Sequence, residues 1–331
     1  MAFHSGCLVE CHSVRIILDT DPGVDDALAI MYLAAQEDAE IIAVGSVHGN
    51  VTAPLAAQNA LRVIELVNIS APVAVGAARP LAQPLQTAEF VHGADGLGGR
   101  AGPGPRGKPV AESAAEQLVR LARAEPGELT LLALGPLTNI ALAVLLEPDL
   151  PKLLRSVVVM GGAVTVPGNI TPYADANFFH DPEAADLVLG AGFPDLTLVA
   201  LDATEQARAG AEWLSAVRAL PGARANFASA LLEHYAGFYS RMFGTTSCTM
   251  HDPLAAAIML DPKLATYREL PLAIELTGTH TRGQVLSDQR PIASDEYIAA
   301  ETNIGRHPVK IAESVDVKRF LEQMYEALKS E

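Results

Sequence analysis

Apolar residues fall in two kinds of run along this chain, and the two kinds alternate. Short β-rich runs at residues 14–18, 41–47, 72–75, 129–134, 157–160 and 196–200 are apolar almost without interruption. Continuity of that sort, rather than a polar residue at every second position, suits strands buried on both faces of a parallel sheet. Between them, residues 24–35, 54–67, 111–124 and 182–189 carry apolar positions at helical spacing. The alternation predicts an α/β fold with an open, mostly parallel, doubly wound sheet of Rossmann-like type. Past residue 205 the pattern becomes more helical: residues 226–242 carry Phe227, Tyr235, Phe238 and Tyr239, a Gly/Thr/Ser-rich stretch follows at 244–249, and a helical run at 254–260 comes next. Short strands and a helix over 317–328 close the chain. Residues 77–108, rich in Gly and Pro, form the longest segment without a regular pattern, and loops of such length are usually functional. With no internal repeat and no linker, a single domain over residues 14–331 is expected, preceded by a loose tail over 1–13.

In open α/β sheets, ligands sit at the carboxyl ends of the strands. Four loops that follow predicted strands carry polar residues: Asp19, Asp21, Asp25 and Asp26; then His48-Gly49-Asn50; then Gly135-Pro136-Leu137-Thr138-Asn139; then the stretch from Gly161-Gly162 through Asn169 to Asn177. The first is the most demanding, because two unit charges 4 Å apart cost about 4 kcal/mol at an effective dielectric of about 20. A fold that gathers four carboxylates within eight residues must protonate some of them or supply a cation. The second solution points to a hard divalent metal with oxygen ligands. Placement of Asp25 and Asp26 in the first turn of a helix, worth about 0.3–1 kcal/mol each, accounts for two of the four acids only. Further along, Asp252 and Pro253 suit the N-cap and N1 positions of the 254–260 helix, and Asp181-Pro182-Glu183 reads as capping alone. His48 and His92 fit surface loops, while Tyr235 and Tyr239, four residues apart, fit a helix face turned to the core.

Composition narrows the partners. Of 331 residues, 50% are hydrophobic and 19% charged, enough for a large core. A formal net charge of -16 argues against a nucleic-acid backbone or an anionic membrane and favours a small neutral or cationic substrate. Cys7, Cys11 and Cys248 cannot make a disulfide framework, and no second Cys/His pair follows the Cys7–Cys11 spacing. Neither a membrane span nor a signal peptide is expected, which makes a cytoplasmic enzyme the expectation.

The run Asp-Thr-Asp-Pro-Gly-Val-Asp-Asp-Ala at Asp19 to Ala27 does not stand alone. With it come Gly49-Asn50, Gly135-Pro136-Leu137-Thr138-Asn139, Met160-Gly161-Gly162, Gly168-Asn169, Asn177, Asp181-Pro182-Glu183-Ala184-Ala185 and His251-Asp252-Pro253. In order and spacing this set resembles the nucleoside hydrolase family, specifically its inosine–uridine-preferring branch, from residue 14 to the C-terminal helix. The resemblance implies Ca²⁺-dependent hydrolysis of the N-glycosidic bond of ribonucleosides to ribose and free base, in nucleoside salvage, by a homo-oligomer that is often a tetramer. By position it implies calcium ligands at Asp21, Asp26, Asp252 and the backbone carbonyl of Leu134, with Asp21 also the general base for a water. It places Asp25 and Asn177 on the ribose hydroxyls, Asn169 near the 5′ end, and Asn50 and His92 in the pocket. Tyr235, Tyr239 and His251 would form a mobile wall around the base, with His251 the candidate proton donor to it. Asp19 falls to a supporting role.

Two departures stand out. Asp175-Ala176-Asn177 occupies the place where this branch often has Glu-Phe-Asn, so contact with the 5′-hydroxymethyl group is expected to loosen at Asp175. Residues 244–249 match no motif and leave the base undetermined. Trp213, the only tryptophan, lies outside the matched segments, unlike the tryptophans that surround the base in the purine-specific branch. Two other readings stay open. One is a haloacid-dehalogenase-type phosphatase, with Asp19 as nucleophile, Asp21 as acid and Mg²⁺. The other is a catalytically silent nucleoside- or ribose-binding protein of the same fold.

Overall fold

The six uninterrupted apolar runs form six parallel strands: β1 (Val14–Thr20), β2 (Ala39–Ser46), β3 (Val73–Val75), β4 (Leu129–Ala133), β5 (Ser156–Met160) and β6 (Leu196–Val199). The computed structural model describes residues 13–290 and 306–329, so the expected tail, with Cys7 and Cys11, lies outside the described residues except for Ser13. Two short ribbon strands, β7 (Arg208–Ala209) and β8 (Cys248–Thr249), pair with each other. After them come β9 (Ala265–Pro271), β10 (Ala273–Ile274), β11 (Val285–Leu286) and β12 (Pro308–Val315). The main sheet has eight strands in the order β3-β2-β1-β4-β5-β6-β12-β9. Strand β12 runs parallel to β6 and antiparallel to β9, so two of the expected C-terminal strands extend the sheet. Continuous apolar patterning does not announce them because β9 is half exposed along its length and β12 carries Lys310 and Glu313 among its buried residues.

Alternation along each strand builds two cores. Ile16 and Leu18 face one layer, with Leu132, Val158 and Met160; Ile17 faces the other, with Leu131, Ala133, Val157 and Val159. The first layer takes the helices Val24–Ala34, Ala53–Leu66, Ala223–Phe243, His251–Leu260 and Val317–Lys329. The second takes Ala114–Ala124, Thr138–Leu146 and Pro182–Gly190. The Thr138–Leu146 helix was not foreseen, since its nearly uniform apolar composition gives no amphipathic contrast.

Chain order reverses between β1 and its neighbour β4, which opens the crevice at the carboxyl ends where ligands settle in such sheets. Asp21 leaves β1 on one side of that crevice, and Leu134 leaves β4 on the other. The 77–108 segment covers one side of it and is ordered by its own hydrogen bonds. The Asp95 carboxylate accepts the N–H groups of Leu97, Gly99 and Ala101 at 2.8–3.0 Å, and a short helix, Glu89–His92, lies within the segment. Asn59 ties the segment to the acidic loop by donating to both Pro22 O and Asp95 O. Among the described residues no helix is long and apolar enough to cross a membrane.

One boundary corrects the sequence reading. The helix expected to be capped by Asp252 begins at His251, with Met250 as its N-cap residue, so Asp252 and Pro253 lie inside the first turn. The Asp252 carboxylate therefore caps nothing. Asp181 does cap the Pro182–Gly190 helix, through the N–H of Ala184 at 3.1 Å.

Candidate active site

Helix geometry delivers the acids. The Val24–Ala34 helix starts three residues after Asp21 and places Asp25 and Asp26 in its first turn. The His251–Leu260 helix packs against it and brings Asp252 to the same point. Asp25, Asp26 and Asp252 each offer a carboxylate oxygen, all within 4.8 Å of one another, and all three residues are buried. Asp26 is held by the Thr20 hydroxyl, by Gly23 N–H at 2.9 Å and by the Asn50 amide at 3.0 Å. Asp21 stands beside them: its Oδ2 accepts Asn50 N–H at 2.6 Å, while its buried Oδ1 has no partner among the described residues. Two glycines make room for it. A Cβ on Gly135 would lie 2.7 Å from Asp21 Oδ1, and one on Gly49 would lie 2.0 Å from Oδ2.

Burial, and then the neighbouring charges, act on Asp21, Asp25 and Asp252. Burial first and Asp26 second push Asp21 well above the usual carboxylate range. Asp25 rises to about 8 for the same two reasons. Asp252 is raised well above its usual value by burial and then by Asp25, Asp26 and Asp21. This is the response of carboxylates gathered without a counter-charge. All the donors are oxygens, three carboxylates lie within mutual reach, and a buried carboxylate oxygen is orphaned. These features fit a hard divalent cation, which takes about 6–8 oxygen ligands when it is Ca²⁺. The trio within mutual reach contains Asp25, expected only on a ribose hydroxyl. Asp21, expected as a ligand, stands outside that trio but close enough to raise Asp252.

A cavity of about 650 Å³ opens over this cluster. Asp25, Asn50, Leu134, Asn177 and Asp252 line its acidic end; Asn169 and Asp175 line it too, and His92, Tyr235, Tyr239 and His251 form a wall. Asp21 and Asp26 do not line it. Asn177 donates to the Leu134 carbonyl at 2.6 Å and to the Met160 carbonyl at 3.1 Å. The Asp175 carboxylate is engaged by backbone: it accepts N–H groups from Gly162, Asn177 and Phe178 and caps the Ala176–His180 helix. Asn169 Oδ1 accepts Ala176 N–H at 2.9 Å.

The histidines and tyrosines are placed differently from the loop and core readings. His48 and His92 are both buried, not surface residues. His92 Nδ1 accepts Val24 N–H at 3.1 Å, and burial pushes its pKa down to about 3. Tyr235 is at once core and wall: it is 3% exposed, meets Tyr239 edge to face at 5.1 Å, and sets its hydroxyl 3.5 Å from Asp25. His251 sits between Thr204 Oγ1 at 2.8 Å and the Tyr239 hydroxyl at 3.2 Å. Burial lowers its pKa to about 4, so the ring is neutral near pH 7.

Sequence reasoning missed Phe90, Phe243, Glu205 and Arg208, all of which line the cavity. None of them carried a motif or a spacing signal. It also left Asn139 unassigned, although that amide contacts both oxygens of Asp19, at 3.2 and 2.9 Å, and donates to Ser46 O at 2.9 Å. Asp19 is buried and does not line the cavity. Asn139 engages both oxygens of Asp19, which suits the supporting role expected of it.

Comparison with known proteins agrees with this geometry. The family described as inosine-uridine preferring nucleoside hydrolase matches residues 16–322. The chain is 36% identical to probable uridine nucleosidase 1 of Oryza sativa subsp. japonica, over 96% of this chain and 98% of that protein. It is 38% identical to the pyrimidine-specific ribonucleoside hydrolase RihA of Shewanella woodyi, over 85% of this chain and 90% of that one. Among solved structures, the plant nucleoside hydrolase PpNRh1 superposes with a TM-score of 0.89 at 32% identity, over 96% of this chain and 99% of that one.

The shifted groups give the chelated protein a characteristic pH response. Asp19, pushed up to about 7, and Asp25, at about 8, hold protons in the folded state that the unfolded chain has already released. Their stabilisation is lost as pH rises through those values. Buried His48, His92, His180 and His251, all lowered to between about 3 and 4, oppose this only below their ordinary value of 6.5. The thermal midpoint of the EDTA-treated protein should therefore fall between pH 6.5 and 8, and saturating Ca²⁺ should remove the Asp25 part of that slope and leave the Asp19 part. An unchanged slope with Ca²⁺ would separate the cation from Asp25.

Proposed function

The chain belongs to the inosine-uridine preferring nucleoside hydrolase family, and from that premise we propose that it hydrolyses ribonucleosides to ribose and free base with the help of Ca²⁺. The observation that carries the reading is the buried carboxylate group Asp25, Asp26 and Asp252, beside Asp21, at one end of a cavity with an aromatic wall. A nucleoside has a polyhydroxylated end and a flat aromatic end, and the cavity is divided in the same way. The names of the relatives favour pyrimidine nucleosides, uridine among them.

Asp21, Asp26, Asp252 and the Leu134 carbonyl would hold the cation, with Asp25 close enough to join them. When bound, Ca²⁺ supplies the counter-charge that keeps these acids ionised and lowers the pKa of a coordinated water. Asp25 and Asn177 bind the ribose 2′- and 3′-hydroxyls. Asp21, whose Oδ1 is free of any protein donor, takes a proton from the attacking water as its oxygen adds to the anomeric carbon. The N-glycosidic bond breaks and its electron pair leaves with the base. Positive charge that develops on the ribosyl ring meets fixed carboxylates and amides, which need no reorganisation to stabilise it. His251, neutral and held through Nδ1 by Thr204, turns its Nε2–H from Tyr239 to the departing base as a hydrogen-bond donor, and the base takes up its proton from solvent water. A cytoplasmic homo-oligomer acting in nucleoside salvage completes the proposal.

The purified protein with Ca²⁺ should release ribose and uracil from uridine without consuming phosphate. Ribose 1-phosphate formed only when phosphate is present would make the reaction a phosphorolysis and overturn the reading. Asp21→Asn should lower kcat by about 10²–10⁴-fold, the usual contribution of a general base; near-normal turnover would remove Asp21 from the chemistry. His251→Ala should depress kcat/KM for inosine by roughly 10-fold more than for a nitrophenyl riboside, whose leaving group needs little help. Equal losses on both substrates would leave His251 only a positioning role.

A further inference from the structure

His251 shares the cavity lining with Glu205 and Arg208. Among the described residues Arg208 is the only lysine or arginine that lines this cavity. Its backbone is held by the β7–β8 ribbon, where Arg208 pairs with Thr249, and Met250 N–H bonds to the Ala207 carbonyl. The ribbon thus runs directly into His251. Glu205 braces the side chain: Arg208 Nε donates to the Glu205 carbonyl at 3.0 Å, and Nη2 donates to the Glu205 carboxylate at 2.6 Å. These two bonds fix the plane of the guanidinium and leave Nη1 without a protein partner among the described residues. The side chain is 54% exposed. The ribbon sets Arg208 beside the strand that leads into His251, the residue that the hydrolase reading puts next to the base.

We propose that Arg208, braced by Glu205, reads the nucleobase by donating from Nη1 to a carbonyl oxygen on its edge, and so favours oxo bases over amino bases. The inference rests on the hydrolase reading and names the group that selects its substrate. Uracil presents a carbonyl where cytosine presents an amino group, and hypoxanthine differs from adenine in the same way. A guanidinium has donors only and stays charged at any working pH, so it cannot change roles to suit an amino group. Opposite such a group, a donor faces a donor and both go unpaired. A site built to donate therefore penalises the amino base, more than it would a mere change of shape. A solvent-exposed ion pair between residues three apart contributes little to stability, so loss of Arg208 should register in specificity first.

The test compares kcat/KM for uridine and cytidine, with Ca²⁺ saturating. The unaltered protein should favour uridine. In Arg208→Ala the uridine-to-cytidine ratio should fall by about 10-fold or more, the size of one hydrogen bond to a charged group, with uridine bearing the loss. Arg208→Gln, whose amide both donates and accepts, should give a ratio between those two. A thermal midpoint close to that of the parent would exclude misfolding in either variant. A parent that favours cytidine, a ratio unmoved in both variants, or equal losses on both nucleosides would each overturn the proposal while leaving the hydrolase reading intact. No ribose from any nucleoside in the unaltered protein would bring down both.

Discussion

Four buried carboxylates, Asp21, Asp25, Asp26 and Asp252, set the terms for the elements around them. Each loses hydration, and each repels the others through a medium that screens poorly. Local donors offset part of this: Thr20, Gly23 and Asn50 on Asp26, and the Asn50 backbone on Asp21. They do not complete it, because Asp21 Oδ1 is left bare and Asp252 is pushed far from its ordinary range. The remaining imbalance is that of a site built for a positive charge. Stability and ligand affinity are linked here, since a cation that relieves the repulsion in the folded chain finds no equivalent cluster in the unfolded one.

The same demand explains why distant parts of the chain converge. No single segment supplies enough ligands, so the doubly wound sheet brings the ends of β1 and β4 together at its switch point and packs the Asp252 turn against the Asp25–Asp26 turn. Small residues are needed where backbones approach the acids, as at Gly49 and Gly135, where a methyl group would collide with Asp21. Outside this ring, Asn139 holds Asp19 and the end of β2 in one network, and Asn59 joins the acidic loop to the segment that covers the crevice. These are rigid supports, and none of them touches the cavity.

How much of this was legible follows from how local each signal is. The strands β1 to β6 could be read directly, because burial on both faces writes itself as an unbroken apolar run. The acidic loop could be read because four carboxylates in eight residues have few benign explanations. Strands β9 and β12 could not, since edge exposure and interspersed charge break the run. Asp252 misled in a specific way: Asp-Pro before an apolar stretch looks like a helix start, yet the helix begins at His251 and frees the acid to face its partners. His48 and His92 look like loop histidines until packing buries them, and no local pattern encodes burial of that kind. Asp175 matched a substrate position by its place among the motifs; it lines the cavity, and the three backbone donors that hold its carboxylate have no local sequence signal.

Reaction and selectivity therefore rest on different kinds of physics in this molecule. The acidic end is governed by electrostatics, in which every oxygen has to be matched and a shift of one residue leaves a charge unpaired; such positions tolerate few alternatives and so carry a recognisable signature. The wall is governed by packing of Phe90, Tyr235, Tyr239 and Phe243, and apolar contacts accept many shapes of similar volume. A wall of that sort can hold a flat base without identifying it. Identification requires a directional group set into the wall, and directional groups need bracing to hold their orientation. Glu205 gives Arg208 that bracing through two bonds, one to its carbonyl and one to its carboxylate, a feature formed by side-chain geometry and carried by no motif.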